Sequence, residues 1–288
     1  MPIDLPSGVA WLRSTERGRA WLSVAPRLVD EAAEQWGLRL GVPFEAAFES
    51  IAVRATTGDG RSVVLKVHFP DRENEHEADA LARWNGGGAV QLIAHDRVRH
   101  ALLLERCIPG SPLTGVDPNA ALDVLIGLLP RLWIGAPQPF RPLTAEVEWW
   151  LGHLEHEWEQ AGRPFERRLL DVALDAMPAL AASQGKQVLL HQDLHGGNVL
   201  AAEREPWLAI DPKPLIGERE FAVAPIVRSF ELGHTRRQTI RRLDRMTAEL
   251  GLDRERARLW TIGQTVAWSV GSNFLTQHLE TLDWLLDA

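Results

Sequence analysis

The sequence predicts an α+β chain in which a sheet-rich first part, residues 1–107, precedes a mostly helical second part, residues 108–288. Two short runs rich in β-branched residues, Ile51–Thr57 and Ser62–Phe69, are separated by the turn residues 58–61. This pattern predicts an antiparallel hairpin in the first part. In the second part, apolar residues recur at helical spacing over most of the length, which predicts a set of packed helices.

The first part also contains helical patterns and one more strand. Apolar residues at helical spacing predict a helix over about residues 15–36. Residues 75–84 predict a second helix, which the glycines at 86–88 end. The apolar run Ala101–Arg106 predicts a strand, and Pro109 with Gly110 breaks the chain after it. These elements indicate a small, mostly antiparallel sheet crossed by a helix.

The second part begins with a clear helix start. Asp117 is a favourable N-cap, and Pro118 occupies the first helical position of a helix that runs to about Trp133. Further helices are predicted from Thr144 to about Trp158 and over residues 166–182, 220–232, 235–250 and 253–286. Short strands are predicted at Val188–Leu190, Val199–Ala201 and Trp207–Ile210.

Composition excludes several classes of protein. The chain has 31 basic and 39 acidic residues, and the net charge of -8 disfavours nucleic acid as a partner. The same charge suits a cationic ligand, although it also serves solubility. With Cys107 as its one cysteine, the chain has no internal disulfide. Neither a signal peptide pattern nor an apolar run of membrane-spanning length is present, so we expect a cytoplasmic protein with no membrane partner. No protein partner is evident.

The strongest chemical signal is the polar octet at residues 191–198, His-Gln-Asp-Leu-His-Gly-Gly-Asn, which lies between two apolar runs. It matches the H-x-D-x-x-x-x-N catalytic loop of eukaryotic-type kinases. Asp193 is the candidate catalytic residue, because a carboxylate can accept the hydrogen bond of a substrate hydroxyl. Asn198 is a candidate magnesium ligand through its side-chain oxygen. The alternative is a turn rich in His, Asp and Gly without catalytic function.

Asp211 places a second carboxylate at the end of an apolar strand, 18 residues after Asp193. In a kinase this position binds the magnesium that bridges the β- and γ-phosphates. A carboxylate at a strand end is otherwise a common turn cap. The spacing from the octet favours the metal ligand.

Lys66 lies in an otherwise apolar strand, and acidic residues follow it on a predicted helix. A Lys–Glu pair would hold the lysine toward the α- and β-phosphates of a nucleotide. We favour Glu77 as the partner, while Glu73 and Glu75 remain possible. Without this context, a strand lysine is usually at an exposed edge. The connector after the apolar strand, from Glu105 to Cys107, offers backbone groups to which an adenine ring could bind.

These motifs occur in an order that resembles the aminoglycoside phosphotransferase superfamily, and most closely its streptomycin and hydroxyurea phosphotransferase group. The stretches that carry the resemblance are Val64–Val67, His76–Ala78, Leu103–Arg106, His191–Leu200 and Ala209–Pro214. The resemblance implies a bilobal, protein-kinase-like fold with a five-stranded N-terminal sheet lobe and a helical C-terminal lobe. It also implies ATP and Mg²⁺ as cofactors.

One departure from the kinase pattern is the nucleotide loop. Residues 44–50 lack the G-x-G-x-x-G sequence, and Glu45 and Glu49 would repel phosphates unless they point away.

The sequence leaves the acceptor open. Carboxylates in the second part could bind the guanidinium or ammonium groups of an aminocyclitol antibiotic such as streptomycin, although such carboxylates more commonly form a solvated helix face. These carboxylates are Glu146, Glu148, Glu155, Glu157, Glu159, Glu231, Asp283 and Asp287. Two other hypotheses are a kinase for a sugar or another metabolite, and a nucleotide-binding module without transfer activity.

Overall fold

The computed structural model describes residues 4–135 and 138–288, and the backbone divides into two compact units. The first unit holds the chain up to Gly110 together with Ala202–Leu208. The second unit holds Ser111–Ala201 and Ala209–Ala288. The structural boundary therefore lies close to the predicted one after residue 107, but a short segment from the predicted second part belongs to the first unit. The functional division at residues 107/108 stays a prediction.

The first unit is built around one antiparallel sheet. A 3-10 helix, Ser7–Ser14, precedes its regular elements. These elements are α1 (Glu16–Gln35), β1 (Arg39–Pro43), β2 (Ser50–Thr56), β3 (Ser62–His68), α2 (Glu77–Trp84), β4 (Leu92–Asp96) and β5 (Ala101–Glu105). The strand order is β1-β2-β3-β5-β4, and every neighbouring pair is antiparallel. The five-stranded sheet implied by the resemblance is confirmed.

A shared apolar core joins α1 to the sheet. Trp21, Ala25 and Val29 of α1 lie in one buried cluster with Leu65 and Val67 of β3. The helical spacing of the apolar residues in α1 turns one stripe of the helix toward the sheet, and alternate residues of β3 turn the same way. This packing fixes the strand that carries Lys66.

The second unit is mostly helical. Its elements begin with α3 (Pro118–Leu132), β6 (Arg141–Pro142), α4 (Leu143–Gln160), α5 (Arg167–Ala182), β7 (Gln187–Leu190) and β8 (Val199–Ala201). β9 (Trp207–Ala209) begins in the segment that belongs to the first unit. The second unit continues with β10 (Leu215–Glu218), α6 (Ala224–Val227), α7 (Arg236–Leu250), α8 (Arg254–Ala267) and α9 (Leu275–Leu286). Asp117 caps α3 by accepting hydrogen bonds from the N–H groups of Asn119 and Ala120, as its sequence position predicts.

Two predicted helices are wrong in extent. Residues 220–232 form a 3-10 turn, Arg219–Val223, followed only by α6. Pro225 explains the interruption, because proline has no N–H to continue a helix from the preceding turn. The predicted helix 253–286 is two helices, α8 and α9. Gly271, in the connection between them, has a φ of +73°, a conformation that glycine adopts without strain.

None of the described helices is both long and apolar enough to cross a membrane.

A small second sheet supports the segment that follows Asp211. Its strand order is β6-β10-β7, with β10 parallel to β6 and antiparallel to β7. Gly217 lies in the central strand, and a Cβ at this position would lie 2.9 Å from side-chain atoms of both Leu143 and Leu190. A side chain is therefore excluded from Gly217 by the neighbouring leucines.

We predict that Gly217→Ala lowers the free energy of unfolding by about 1–3 kcal/mol, because the added methyl group overpacks a rigid apolar layer. The matched control is Gly152→Ala on α4, where a Cβ would meet nothing within 4 Å. Alanine there should raise the free energy by about 0.5–1 kcal/mol, because glycine is the weaker helix former. Urea unfolding of both variants checks this, and equal midpoints for Gly217→Ala and wild type would contradict it.

Candidate active site

The first unit contains a buried ion pair between β3 and α2. The Lys66 Nζ lies 2.8 and 2.9 Å from the two carboxylate oxygens of Glu77, and both side chains are almost fully buried. The Nε2 of His68 lies 3.2 Å from the same carboxylate. Burial alone would raise the pKa of Glu77, but the charges of Lys66 and His68 outweigh it and lower that pKa to about 2. Glu77 therefore holds the Lys66 ammonium group in one position.

The connector that follows β5 is fixed by Arg204. The Glu105 carboxylate accepts hydrogen bonds of 2.8 and 2.9 Å from the Arg204 guanidinium, and the Glu105 N–H donates to the Gln91 carbonyl. That N–H is thus already engaged. Within residues 4–135 and 138–288, the backbone N–H and C=O of Cys107 have no hydrogen-bond partner. Cys107 is therefore the stronger of the two candidates for adenine contacts.

Burial also governs the Cys107 thiol. Desolvation, followed by the charge of Glu105, raises its pKa to about 12. The thiol therefore stays protonated and is a poor nucleophile.

The loop that replaces a glycine-rich sequence is held by its own side chains. Glu45 accepts hydrogen bonds of 2.8 and 2.9 Å from the N–H and hydroxyl of Ser7, and these bonds lower its pKa. Phe48 stacks on Trp11 with ring centroids 5.2 Å apart, and the Trp11 Nε1 donates to the Phe48 carbonyl. The Glu45 carboxylate is therefore held against the N-terminal 3-10 helix by Ser7.

In the second unit, His191 anchors the polar octet. It is buried, and its Nε2 lies 2.9 Å from the Ile210 carbonyl, to which only a protonated nitrogen can donate. The Lys213 N–H donates a second hydrogen bond between the same two segments, to the His191 carbonyl. Burial lowers the pKa of His191 to about 4, so the ring is neutral at pH 7. The hydrogen bonds of His191 tie the octet to the segment around Asp211.

Asp193 and Asn198 contact each other within the octet. The Asn198 Nδ2 donates to the Asp193 carbonyl at 2.9 Å and lies 3.4 Å from its carboxylate. Because the amide nitrogen is engaged, the side-chain oxygen of Asn198 is the atom left for a metal. The Ile210 N–H donates to the Asn198 carbonyl, which brings Asp211 next to Asn198 along the backbone. Asp211 itself has a φ of +55°, a conformation that is uncommon outside glycine and recurs at functional sites.

These two residues fit magnesium. Among the residues that the structure describes, no group of three or more His, Cys, Asp and Glu side chains could hold a metal ion. Magnesium does not require such a cage, because it keeps several waters and binds one or two protein oxygens together with substrate phosphates. The amide oxygen of Asn198 and the carboxylate of Asp211 are hard oxygen donors of this kind.

One of the candidate acceptor-binding carboxylates contacts the polar octet. Glu231 was grouped with candidate acceptor-binding residues, but its carboxylate lies 2.9 Å from the Nδ1 of His195 and 3.1 Å from the Gly197 N–H. Burial opposes a charge on the His195 ring, but the hydrogen bond to Glu231 and the charge of Asp193 outweigh it and raise the pKa of His195. Glu231 therefore lies against the polar octet at residues 191–198.

Most of the other candidate acceptor-binding carboxylates are already paired. Glu146 is fully buried and accepts a hydrogen bond of 2.8 Å from Arg141, so it cannot face a ligand. Arginines also pair with Glu155, Glu159, Asp283 and Asp287. Glu148 and Glu157 have no ion pair in the described part of the chain, which leaves them as the free carboxylates of α4.

Comparison with known proteins gives a family match. The family model described as aminoglycoside/hydroxyurea antibiotic resistance kinase matches residues 35–273. A hydroxyurea phosphotransferase from Kitasatospora aureofaciens is 43% identical over 257 residues, covering 86% of this chain and 73% of that protein. A streptomycin 6-kinase from Streptomyces glaucescens is 38% identical over 279 residues, covering 93% and 91%. The resemblance inferred from the sequence motifs is confirmed.

Solved structures give the same fold. The ternary complex of a thermostable mutant of aminoglycoside phosphotransferase APH(4)-Ia with AMP-PNP and hygromycin B superposes with a TM-score of 0.62 at 16% sequence identity. The match covers 90% of this chain and 95% of that one. The predicted kinase-like α+β fold is thereby confirmed.

The buried, neutral state of His191 predicts a pH-dependent stability. Because its pKa falls from 6.5 to about 4 on folding, the unfolded chain binds more protons between these values. The wild type should therefore be most stable above pH 6.5 and lose up to about 3 kcal/mol from this group as the pH falls toward 4. His191→Gln keeps a donor near the Ile210 carbonyl but cannot titrate, so its stability should depend less on pH.

Urea unfolding on both sides of pH 6.5 measures the difference, with His153→Gln at an exposed histidine of α4 as the control. The control should keep the pH dependence of the wild type. Parallel curves for His191→Gln and wild type would show that His191 is not the titrating group.

Proposed function

The chain belongs to the aminoglycoside/hydroxyurea antibiotic resistance kinase family, and we propose that it transfers the γ-phosphoryl group of ATP to a hydroxyl of a cationic aminocyclitol antibiotic. Family membership makes it a phosphotransferase that acts on an alcohol group. The nucleotide and the acceptor are the parts of this statement that we propose, with streptomycin as the first candidate acceptor.

The observation that carries the proposal is the arrangement of Asp193 and Asn198 within one loop. The Asp193 carboxylate is partly exposed, so an acceptor hydroxyl can reach it. The Asn198 amide nitrogen is turned toward Asp193, which directs the amide oxygen elsewhere. Phosphoryl transfer depends on positioning and on charge stabilisation, and one loop supplies a group for each.

Each proposed role follows from the chemistry of the group. Asp193 accepts the hydrogen bond of the acceptor hydroxyl and orients its oxygen. Lys66, held by Glu77, supplies a fixed positive charge for the α- and β-phosphates. The backbone of Cys107 offers one donor and one acceptor to an adenine ring, and Glu105 keeps the connector in place through Arg204.

Asn198 and Asp211 would hold Mg²⁺. When bound, this ion neutralises charge on the β- and γ-phosphates. The neutral His191 ring and the Lys213 N–H keep the backbone around both ligands in register.

The relatives suggest two kinds of acceptor. A streptomycin 6-kinase has a cationic acceptor by its name, whereas a hydroxyurea phosphotransferase has a small neutral one. The net charge of -8 and the free carboxylates Glu148 and Glu157 favour the cation, because guanidinium groups bind carboxylates through charge-assisted hydrogen bonds. Hydroxyurea remains the second candidate, because the relative that phosphorylates it shares 43% identity.

A transfer assay tests the proposal. The purified protein is incubated with ATP labelled in the γ-phosphate, magnesium, and in turn streptomycin, hydroxyurea and an uncharged sugar. We expect label in streptomycin, and loss of transfer when a chelator removes the metal, because the phosphate charges then lack their main counter-charge.

The outcomes separate the hypotheses. Label in hydroxyurea alone would favour the second candidate acceptor. Transfer to the uncharged sugar in preference to both antibiotics would contradict the proposal and favour a metabolite kinase. Nucleotide binding without transfer to any acceptor would contradict the proposed activity itself.

A further inference from the structure

The Glu231 carboxylate contacts two residues of the octet that carries Asp193, and the nearby Ser229. Its carboxylate lies 2.9 Å from the Nδ1 of His195 and 3.1 Å from the N–H of Gly197. The hydroxyl of Ser229 lies 3.4 Å from the same oxygen. The carboxylate is 36 residues from His195 in sequence, so the fold rather than local chain geometry brings them together.

The donor pattern assigns the proton on His195. A carboxylate only accepts hydrogen bonds, so the Nδ1 of His195 carries a hydrogen and donates it to Glu231. The Gly197 nitrogen lies 3.2 Å from the His195 Nδ1 and 3.1 Å from the Glu231 carboxylate. Because a protonated Nδ1 cannot accept a hydrogen bond, the Gly197 N–H donates to the carboxylate. The other ring nitrogen, Nε2, is then the edge that faces Asp193.

That edge lies close to the proposed catalytic carboxylate. The distance from the His195 Nε2 to an Asp193 carboxylate oxygen is 3.9 Å. The other carboxylate oxygen of Asp193 lies 3.4 Å from the Asn198 amide nitrogen. Each oxygen of Asp193 thus faces a nitrogen on a different side, and rotation of the carboxylate would lose one of these contacts.

Two glycines of the octet lie where Glu231 approaches His195. A Cβ at Gly197 would lie 2.8 Å from the His195 ring and 3.0 Å from Glu231. A Cβ at Gly196 would lie 3.0 Å from the Thr114 side chain. A side chain at Gly197 would therefore displace the His195 ring, and one at Gly196 would crowd Thr114 and Glu231, which lies 3.3 Å from the added Cβ.

We propose that His195 and Glu231 form a positioning pair for Asp193. Glu231 fixes the ring through Nδ1–H, so that the ring edge borders one oxygen of the Asp193 carboxylate at 3.9 Å, while the Asn198 amide nitrogen lies 3.4 Å from the other. The remaining lone pairs of the carboxylate then point at the acceptor hydroxyl. The inference rests on the proposed function only in that Asp193 is the residue that orients the acceptor.

The first test is the kinetics of Glu231→Gln with the acceptor that the transfer assay identifies. Glutamine keeps the size of the side chain but removes the charge that holds the ring. We expect kcat to fall by about 10- to 100-fold, as misplacement of a reacting group by about 1 Å does. KM for ATP should change by less than about twofold, because the pair acts on Asp193 and not on the nucleotide. A fall in ATP affinity with unchanged kcat would overturn the proposal.

Glu280→Gln is the matched control. Glu280 accepts a hydrogen bond of 2.8 Å from the Nε2 of His234, so this substitution also removes the carboxylate from a His–Glu pair in the second unit. Its kcat should remain within about twofold of the wild type. An equal loss in both variants would show a general effect on folding and would overturn the specific role.

A double-variant experiment distinguishes an effect of Glu231 on the position of Asp193 from a general effect on folding. Glu231→Gln is combined with Asp193→Asn, and the residual rate of the double variant is compared with that of Asp193→Asn alone. If Glu231 acts through Asp193, the second substitution should have no further effect. A further loss equal to that seen in the wild-type background would overturn the proposal.

The last readout needs no acceptor. Crystal structures of the wild type and of Glu231→Gln compare the position of the Asp193 carboxylate relative to the His195 ring. We expect the 3.9 Å contact in the wild type and a displaced ring and carboxylate in the variant. An unmoved Asp193 would overturn the proposal even if the protein phosphorylates none of the acceptors tested, so its failure and that of the proposed function are distinguishable.

Discussion

Lys66 and Glu77 lie in the interior of the first unit, with 5% and 2% of their surfaces exposed. Charges removed from water in this way are tolerated only when each meets the other at hydrogen-bond distance. Removing one partner of such a pair costs about 3–5 kcal/mol, because the other charge is left buried and unpaired. The pair therefore fixes α2 against β3 and makes the position of the lysine a property of the fold.

The second unit also contains a buried charge that needs hydrogen-bonded partners. Glu218 is 1% exposed at the end of β10, where it meets the Arg256 guanidinium, the Trp260 indole N–H and the Gly185 N–H. This satisfied carboxylate ties β10 to α8. Asp193, by contrast, is partly exposed. Buried carboxylates with full sets of partners fix the packing of the elements, and the carboxylate proposed to orient the acceptor is one that remains accessible.

The sequence predicted the parts of the site that lie within short local patterns. The octet at 191–198, the strand before Asp211 and the Lys66 strand with its following helix are all visible because neighbouring residues define them. The edge strands β1 and β4 were missed, since β1 contains a glycine and a proline that argue against a strand and since edge strands lack the continuous apolar pattern. The contact between Glu231 and His195 was also hidden, because the two residues are 36 positions apart in sequence.

The central claim is that Asp193 orients the acceptor hydroxyl for phosphoryl transfer. The most direct measurement is kcat and ATP affinity of Asp193→Asn, with Asp175→Asn at an exposed position of α5 as the matched control. We predict that kcat of Asp193→Asn falls by about 10²- to 10⁴-fold, as expected for a positioned acid–base group, while ATP affinity is unchanged. The control should behave as the wild type. If Asp193→Asn instead keeps more than about a tenth of wild-type turnover, Asp193 is not the residue that carries the transfer.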